Sequence, residues 1–273
     1  MSRPMDWKGA VGLEWAYKHR MYDRLMAPMG TVALDALGDV SGKRVLDVGC
    51  GAGHTTLELS ARGAFPTGVD ISEAQIDVAR AQDPNRRCAF VTGDAGEVEY
   101  VRRFDALYSR GATNYFKKPV QTFRHLRAYA RAGAPMSMVF FKTAAENDWS
   151  EISSGVASSV LGRDTSTSRD GPHGPFAWAD EEIFRKVLRE SGWRNTRSEI
   201  IHPMMRLSDP KSDDPVGSAV EACAAIILRR RLGGCTDDQR KKVLTSLHKE
   251  FSKHVVDGSV QLGCTAWLVQ TTA

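Results

Sequence analysis

The stretch Arg44–Ser60, RVLDVGCGAGHTTLELS, joins a short apolar run to an acid, three alternate glycines and the start of a helix. Arg44–Val48 reads as a buried strand and the residues from Gly53 onward as a helix, which leaves Gly49 and Gly51 in the turn between them. Glycine tolerates positive φ and lets a ligand come close to the backbone, and the free N–H groups of the helix start would face that ligand. The spacing is G-x-G-x-G. A dinucleotide fold uses G-x-G-x-x-G, with its third glycine one residue further on and placed for helix packing.

Working outward, short apolar runs alternate with amphipathic stretches from Lys43 to about Lys142, the pattern of repeated βα units and a parallel sheet. Strands are expected at Arg44–Val48, Pro66–Val69, Cys88–Thr92, Phe104–Tyr108 and Pro135–Phe141. One helix should run from Ser72, as N-cap, to Ala81, and another should open at Pro119 with Val120, Phe123, Leu126 and Ala130 on one face. Beyond Lys142, the segment TSTSRDGPHGPFAW is too rich in Ser, Thr, Gly and Pro to hold either period, so residues 143–179 read as a loop insertion. Asp180 then caps a helix ending at Gly192, and a strand follows near Trp193–Ile201. Two further helices, Val216–Arg231 and Asp237 to about Val255, lie before a last strand, CTAWLVQTT. They read as a helical cap, residues 202–258, over a ligand cleft. Residues 1–40 read as an N-terminal helical extension, with Trp15, Tyr22, Leu25 and Met26 spaced along one face, and residues 41–273 as the principal domain.

The 273 residues are 42% hydrophobic and 26% charged, enough to bury a substantial core. The five cysteines form no CxxC pair and the first ten residues lack an apolar signal segment, so a reducing, cytoplasmic setting is expected. No apolar run approaches the roughly 20 residues that span a bilayer. The formal charge of +4 is dispersed along the chain, so no nucleic-acid partner is expected. No metal is expected either.

The stretch VLDVGCGAG closely resembles the first motif of class I S-adenosylmethionine-dependent methyltransferases, and later segments resemble that family's small-molecule branch. GVDIS ends the second strand with Asp70, TGDAGEV follows the third with Asp94, and FDALYSRGATNYFKKPV resembles the fourth strand and its sequel. The resemblance implies an α/β fold, a doubly wound, seven-stranded, mostly parallel Rossmann-like sheet with N-terminal helices and a cap. It also implies S-adenosylmethionine as methyl donor and S-adenosylhomocysteine as product. In that reading Asp70 accepts hydrogen bonds from the ribose hydroxyls and Asp94, with Ala95, stands against the adenine. Asp47 supports the methionine ammonium, and Gly49, Cys50, Gly51, Gly53, His54, Ile71, Gln75, Ser109 and Arg110 complete the donor site. The residues agree independently with one part of this: a carboxylate at a strand end about twenty residues past the glycines suits a ribose diol at the sheet's carboxyl edge.

Two segments depart from the family pattern. Its usual PGG turn is Ala132-Gly133-Ala134-Pro135 here, and its aromatic-rich run after the fourth strand is Thr113-Asn114-Tyr115-Phe116. The second departure lies where an acceptor would sit, so acceptor identity does not carry over.

Methyl transfer is an in-line displacement governed by positioning, and a base is needed only for a hydroxyl or a neutral carbon acid. His173, Tyr115 and His202 are the candidates for a base or orienting group. The expected acceptor is a small molecule of specialised metabolism, methylated on oxygen ahead of nitrogen or carbon. An RNA or peptide methyltransferase and a non-catalytic S-adenosylmethionine-binding protein are the alternatives. The chain is expected as a monomer or homodimer.

Overall fold

Strand alternation in the central sheet sorts apolar side chains onto two faces, and each face gathers its own helices. The computed structural model of the protein describes residues 5–165, 174–226, 228 and 232–273. Its strands are β1 (Arg44–Val48), β2 (Phe65–Asp70), β3 (Ala89–Thr92), β4 (Ala106–Arg110), β5 (Pro135–Phe141), β6 (Arg194–Ile201), β7 (Met204–Arg206), β8 (Val255–Val256), β9 (Ser259–Gly263) and β10 (Ala266–Thr272). Its helices are α1 (Ala10–Tyr17), α2 (His19–Ala36), α3 (His54–Ala61), α4 (Glu73–Gln82), α5 (Pro119–Tyr129), α6 (Asp148–Leu161), α7 (Glu181–Glu190), α8 (Pro215–Ile226) and α9 (Asp237–Phe251).

Seven strands pair in the order β3-β2-β1-β4-β5-β10-β6. The first five are parallel, and β10 runs antiparallel to both β5 and β6. This is the expected doubly wound, mostly parallel sheet. Val45, Ala106, Tyr108, Val139 and Leu268 point to one side, where they meet Leu25, Met29 and Ala33 of α2 and Leu59 of α3. Their neighbours Leu46, Leu107, Met138, Phe140 and Val269 point to the other, against Phe123 and Leu126 of α5 and Phe184 and Leu188 of α7. A period of two within each strand produces both layers.

Local chemistry fixes the helix starts. Ser72 caps α4 by accepting from the Gln75 N–H, Asp180 caps α7 by accepting from the Glu182 N–H, and Pro119 occupies the first turn of α5. Thr236 and Gln239 form a reciprocal capping box at α9.

Two expectations are corrected. Residues 143–179 are not a continuous loop, because Asp148–Leu161 is helical. Trp149, Ser153, Ser154 and Ala157 are buried along it, and the Ser153 hydroxyl donates to the Trp149 carbonyl one turn back. Small residues such as Ser153, whose hydroxyl is satisfied within the helix, allow close packing while hiding the apolar period. Buried Asn147 anchors the helix: its amide donates to the carbonyls of Thr143 and Thr265, and its oxygen accepts from Trp149 Nε1 and the Thr265 N–H.

Residues 202–258 hold α8 and α9 but also β7 and β8, which pair with β9 in a three-stranded sheet of order β7-β9-β8. This unit packs beside α2 and α6 in one apolar cluster. None of its described residues lines the cleft at the end of the central sheet. That role falls to the N-terminal helices.

The third glycine of the opening motif is a packing residue. Gly53 has φ +85°, and a Cβ there would lie 2.8 Å from Ala79 Cβ and 3.0 Å from the Phe90 ring. Gly38, at φ +76°, has nothing within 4 Å of such a Cβ. Alanine in left-handed backbone costs about 1–2 kcal/mol, and each kcal/mol moves the midpoint of a chain this size by roughly 2–4 °C. Gly38→Ala should therefore lower the thermal midpoint by a few degrees, and Gly53→Ala should lower it further, as measured by thermal circular dichroism.

Candidate active site

At the carboxyl ends of β1, β2 and β4 lies a cavity of about 530 Å³, within the usual size range of small-molecule sites. Its floor is Gly49–Ala52 with Val69–Ile71 and Gln75. One side is Gly93–Ala95 and the opposite side Arg110–Ala112 with Tyr115–Lys117. Its roof comes from the N-terminal extension: Met5–Lys8, Trp15, His19, Tyr22, Asp23 and Met26.

The floor is shaped by backbone. Gly49 and Gly51 have φ +73° and +55°, and a Cβ at Gly49 would lie 2.1 Å from Ala112 Cβ. The Gly49 and Cys50 N–H groups both donate to the Val69 carbonyl, which binds the turn to the end of β2. Asp70 continues that attachment: its Oδ2 accepts from the Gly51 N–H and its Oδ1 from the Ser72 N–H, each at 2.9 Å. Burial pushes the Asp70 carboxyl up, and N–H donation from Ser72, Gly51 and Ile71 pulls against it. Across the cavity, Asp94 is fixed by accepting from the Gly96 N–H at 2.9 Å, and Ala95 lies beside it.

Asp47 does not line the cavity. It is 1% exposed, and its Oδ2 accepts from the hydroxyls of Thr55 and Thr56, each at 2.7 Å. Its Oδ1 is buried with no hydrogen-bond partner. Desolvation raises the Asp47 carboxyl, opposed by the two threonine bonds and by the positive charge of Arg110. Arg110 lines the cavity with its guanidinium paired to Asp23 of α2, Nη2 to Oδ1 at 2.9 Å, while its buried Nη1 has no partner. The backbone carries this pairing, since Gly30 lets α2 approach so closely that a Cβ there would lie 2.8 Å from Arg110 Cδ.

Other expected site residues fall elsewhere. His54 is exposed on the first turn of α3 and does not reach the cavity; helix geometry turns Thr55 and Thr56 inward instead. Ser109 is buried beneath β4's end, its hydroxyl donating to the Val48 carbonyl at 2.8 Å, and Gly53 packs away from the cavity. His202 is exposed at the end of β6, 3.3 Å from the Thr265 hydroxyl and outside the cavity. His173 lies outside the described residues. Tyr115 does line the cavity, its ring edge-on to Trp7 at 5.2 Å. Cys50 lines it too, but burial and the Asp47 and Asp70 charges push its thiol well up, so it remains protonated and is no nucleophile.

Sequence reasoning passed over His19, Asp23 and Trp7. The first two had a readable signal. His19, Tyr22, Asp23 and Met26 follow the i, i+3, i+4, i+7 spacing of one helix face, so two polar residues stand on a stripe that otherwise reads as core. Trp15 stacks on Tyr22 at 3.7 Å with the rings 2° from parallel, and Trp7 meets Trp15 edge-on at 5.4 Å. Burial raises the Tyr22 phenol to about 12, so it is neutral at physiological pH.

Comparison with known proteins places this geometry. Residues 45–133 match the family model described as a methyltransferase domain. Over 77 residues, the chain is 42% identical to magnesium-protoporphyrin O-methyltransferase of Rhodobacter capsulatus, covering 25% of this chain and 34% of that protein. It is 30% identical over 144 residues to ubiquinone biosynthesis O-methyltransferase of Pseudomonas fluorescens, covering 48% of this chain and 61% of the relative. The match therefore spans only part of each relative's length. Magnesium protoporphyrin IX methyltransferase from Synechocystis, solved with bound S-adenosylhomocysteine, shares the fold at a TM-score of 0.54 and 14% identity, over 98% of this chain and 97% of that one. Residues 45–133 thus match a methyltransferase domain, and the chain as a whole shares the fold of a solved methyltransferase.

Proposed function

We propose that this chain transfers the methyl group of S-adenosylmethionine to a small-molecule acceptor, on oxygen ahead of nitrogen or carbon. The observation that carries the donor assignment is the carboxylate at the end of β2: Asp70 lines the cavity while holding the Gly51 and Ser72 N–H groups, and its remaining acceptor capacity suits a ribose diol, with Asp94 across the cavity at the adenine end. When bound, the sulfonium supplies an electrophilic methyl group, and the chain's part is to hold it facing the acceptor side of the cavity.

A roof of aromatic rings and a cavity enclosed by the chain's own N-terminal segment support a small acceptor over RNA or a peptide. Both curated relatives described above are O-methyltransferases by name, which supports oxygen. The five cysteines are all free, which supports a reducing, cytoplasmic setting; a role in specialised metabolism completes the proposal. Among the described residues, no helix is long and apolar enough to cross a membrane.

Two measurements test the donor site. Isothermal titration should show S-adenosylmethionine binding to the wild-type chain. Asp70→Asn should weaken it by roughly 10- to 100-fold, the loss of one charge-assisted hydrogen bond of about 1.5–3 kcal/mol. Absence of binding heat in the wild type would sink the proposal.

Asp47→Asn should separate stability from binding. The Asp47 carboxyl is raised in the folded chain, so its contribution to stability is fully present below about pH 4 and is lost as the pH rises through its folded value. Asn lacks this titration. The variant should be at least as stable as wild type at pH 7, with that advantage shrinking on acidification toward pH 4, while donor affinity at pH 7 falls. Thermal melts across this range with parallel titrations check both halves.

A further inference from the structure

We propose that His19 Nε2 is the general base of the reaction and that the acceptor is a planar aromatic alcohol held beneath Trp7, Trp15, Tyr22 and Tyr115. The inference rests on the methyltransferase reading above and names the acceptor side of the same cavity.

The argument begins with a hydrogen bond. His19 Nδ1 lies 2.9 Å from the backbone carbonyl of Ala16. A carbonyl only accepts, so Nδ1 carries the proton and donates. Neutral imidazole then has its lone pair at Nε2, on the far side of a ring that lines the cavity. Nε2 makes no hydrogen bond among the described residues. The contact with Ala16 also caps the last turn of α1, so the chain's own helix end sets the tautomer.

The other titratable groups around the cavity are committed or unsuited. Asp23 is ion-paired with Arg110 at 2.9 Å. Asp70 and Asp94 each accept backbone N–H groups. Asp6 accepts from the Gly9 N–H, and both Asp6 and Glu97 are exposed. Lys8 and Lys117 are cations at the rim. Tyr22 and Cys50 keep their protons. Tyr115 stands edge-on to Trp7 as part of the roof, and His19 is the imidazole among the described lining residues, its Nε2 uncommitted.

The ring geometry supplies the acceptor class. Trp15 and Tyr22 form a parallel stack, and Trp7 stands edge-on to both Trp15 and Tyr115. Such a roof suits a flat apolar body by stacking and edge contacts. An aromatic hydroxyl is also an acceptor that needs a base. As its oxygen bonds to the methyl carbon, the carbon–sulfur electron pair leaves with sulfur and the hydroxyl proton passes to His19 Nε2. The products are the methyl ether, S-adenosylhomocysteine and an imidazolium that returns its proton to solvent.

The test uses catechol as probe on the S-adenosylhomocysteine complex of the whole chain. Long-range proton–nitrogen NMR on histidine-labelled protein should show His19 protonated at Nδ1 and unprotonated at Nε2, with the Nε2 resonance moving when catechol binds. His19→Asn can keep a donor toward the Ala16 carbonyl but has nothing at the position of Nε2. It should leave S-adenosylhomocysteine affinity within about twofold, weaken catechol three- to tenfold, and slow methyl transfer to catechol by at least about 100-fold. A purely helix-capping histidine predicts no change in any of these. A tautomer protonated at Nε2, an unmoved His19 on catechol binding, or failure of catechol to bind the loaded protein overturns the inference. Failure of S-adenosylhomocysteine itself to bind overturns the methyltransferase reading instead.

Discussion

The Asp70 carboxylate is the point through which the site is assembled. One oxygen holds the Gly51 N–H of the glycine turn and the other the Ser72 N–H at the start of α4. Two segments whose glycine turn and helix start face the same cavity are thus tied to the last residue of β2. The effect spreads upward, because Ser72 also receives the N-terminal extension. Gly12 of α1 packs so closely on it that a Cβ would lie 2.3 Å from Ser72 Oγ. Floor and roof therefore share one anchor. Bonds from N–H groups to an ionised carboxylate are among the stronger ones in a protein, and here they act against the cost of burying the charge.

A second charged link ties roof to wall. Arg110, at the end of β4, pairs with Asp23 of α2 at 2.9 Å, the two side chains being 11% and 16% exposed. A pair this sheltered is screened little by solvent, and removing either partner would strand the other. The same guanidinium packs against Gly30, where a Cβ would lie 3.5 Å from Nη1, so one residue both pairs with α2 and fixes its close approach.

How much of this could be read in the sequence follows from how local each feature is. The glycine turn, Asp70, Asp94, the capping residues Ser72 and Asp180 and the strand order's βα rhythm are encoded within a few residues of where they act. Features that depend on which side an element packs were not legible. Trp15 and Tyr22 have a spacing that fits core burial as well as a cavity roof. His54 adjoins the glycine turn in sequence, yet the α3 screw axis turns it to solvent and gives Asp47 two threonines. α6 was hidden because its buried face is largely serine. The insertion at 202–258 looked like a cap because it holds two amphipathic helices, but hydrophobic pattern does not say against which end of the sheet they lie; β7–β9 pairing and the Arg24 bond to the Leu207 carbonyl hold it beside α2.

The distribution of the cavity walls along the chain has a consequence for how chemistry is divided. The acids and glycines assigned to the donor lie within residues 45–133, the segment matched by the methyltransferase model. The roof residues from Met5 to Met26 lie wholly outside it. A donor shared across a family asks the same of every member: a diol acceptor, a close backbone and a charge pair for an amino-acid end. An acceptor asks for shape and, where it carries a hydroxyl, for a proton sink. Supplying the roof from a separate pair of helices allows that second demand to be met without disturbing Asp70 or the glycine turn. The two parts are joined by Gly12 on Ser72 and Asp23 on Arg110, and also by the packing of α2 on the sheet, where the Tyr108 hydroxyl donates to the Gly30 carbonyl. The side of the cavity away from the glycine turn is built by Trp7, by α1 and α2 and by Tyr115, and the contribution of the two helices is legible only once they are known to face the cavity.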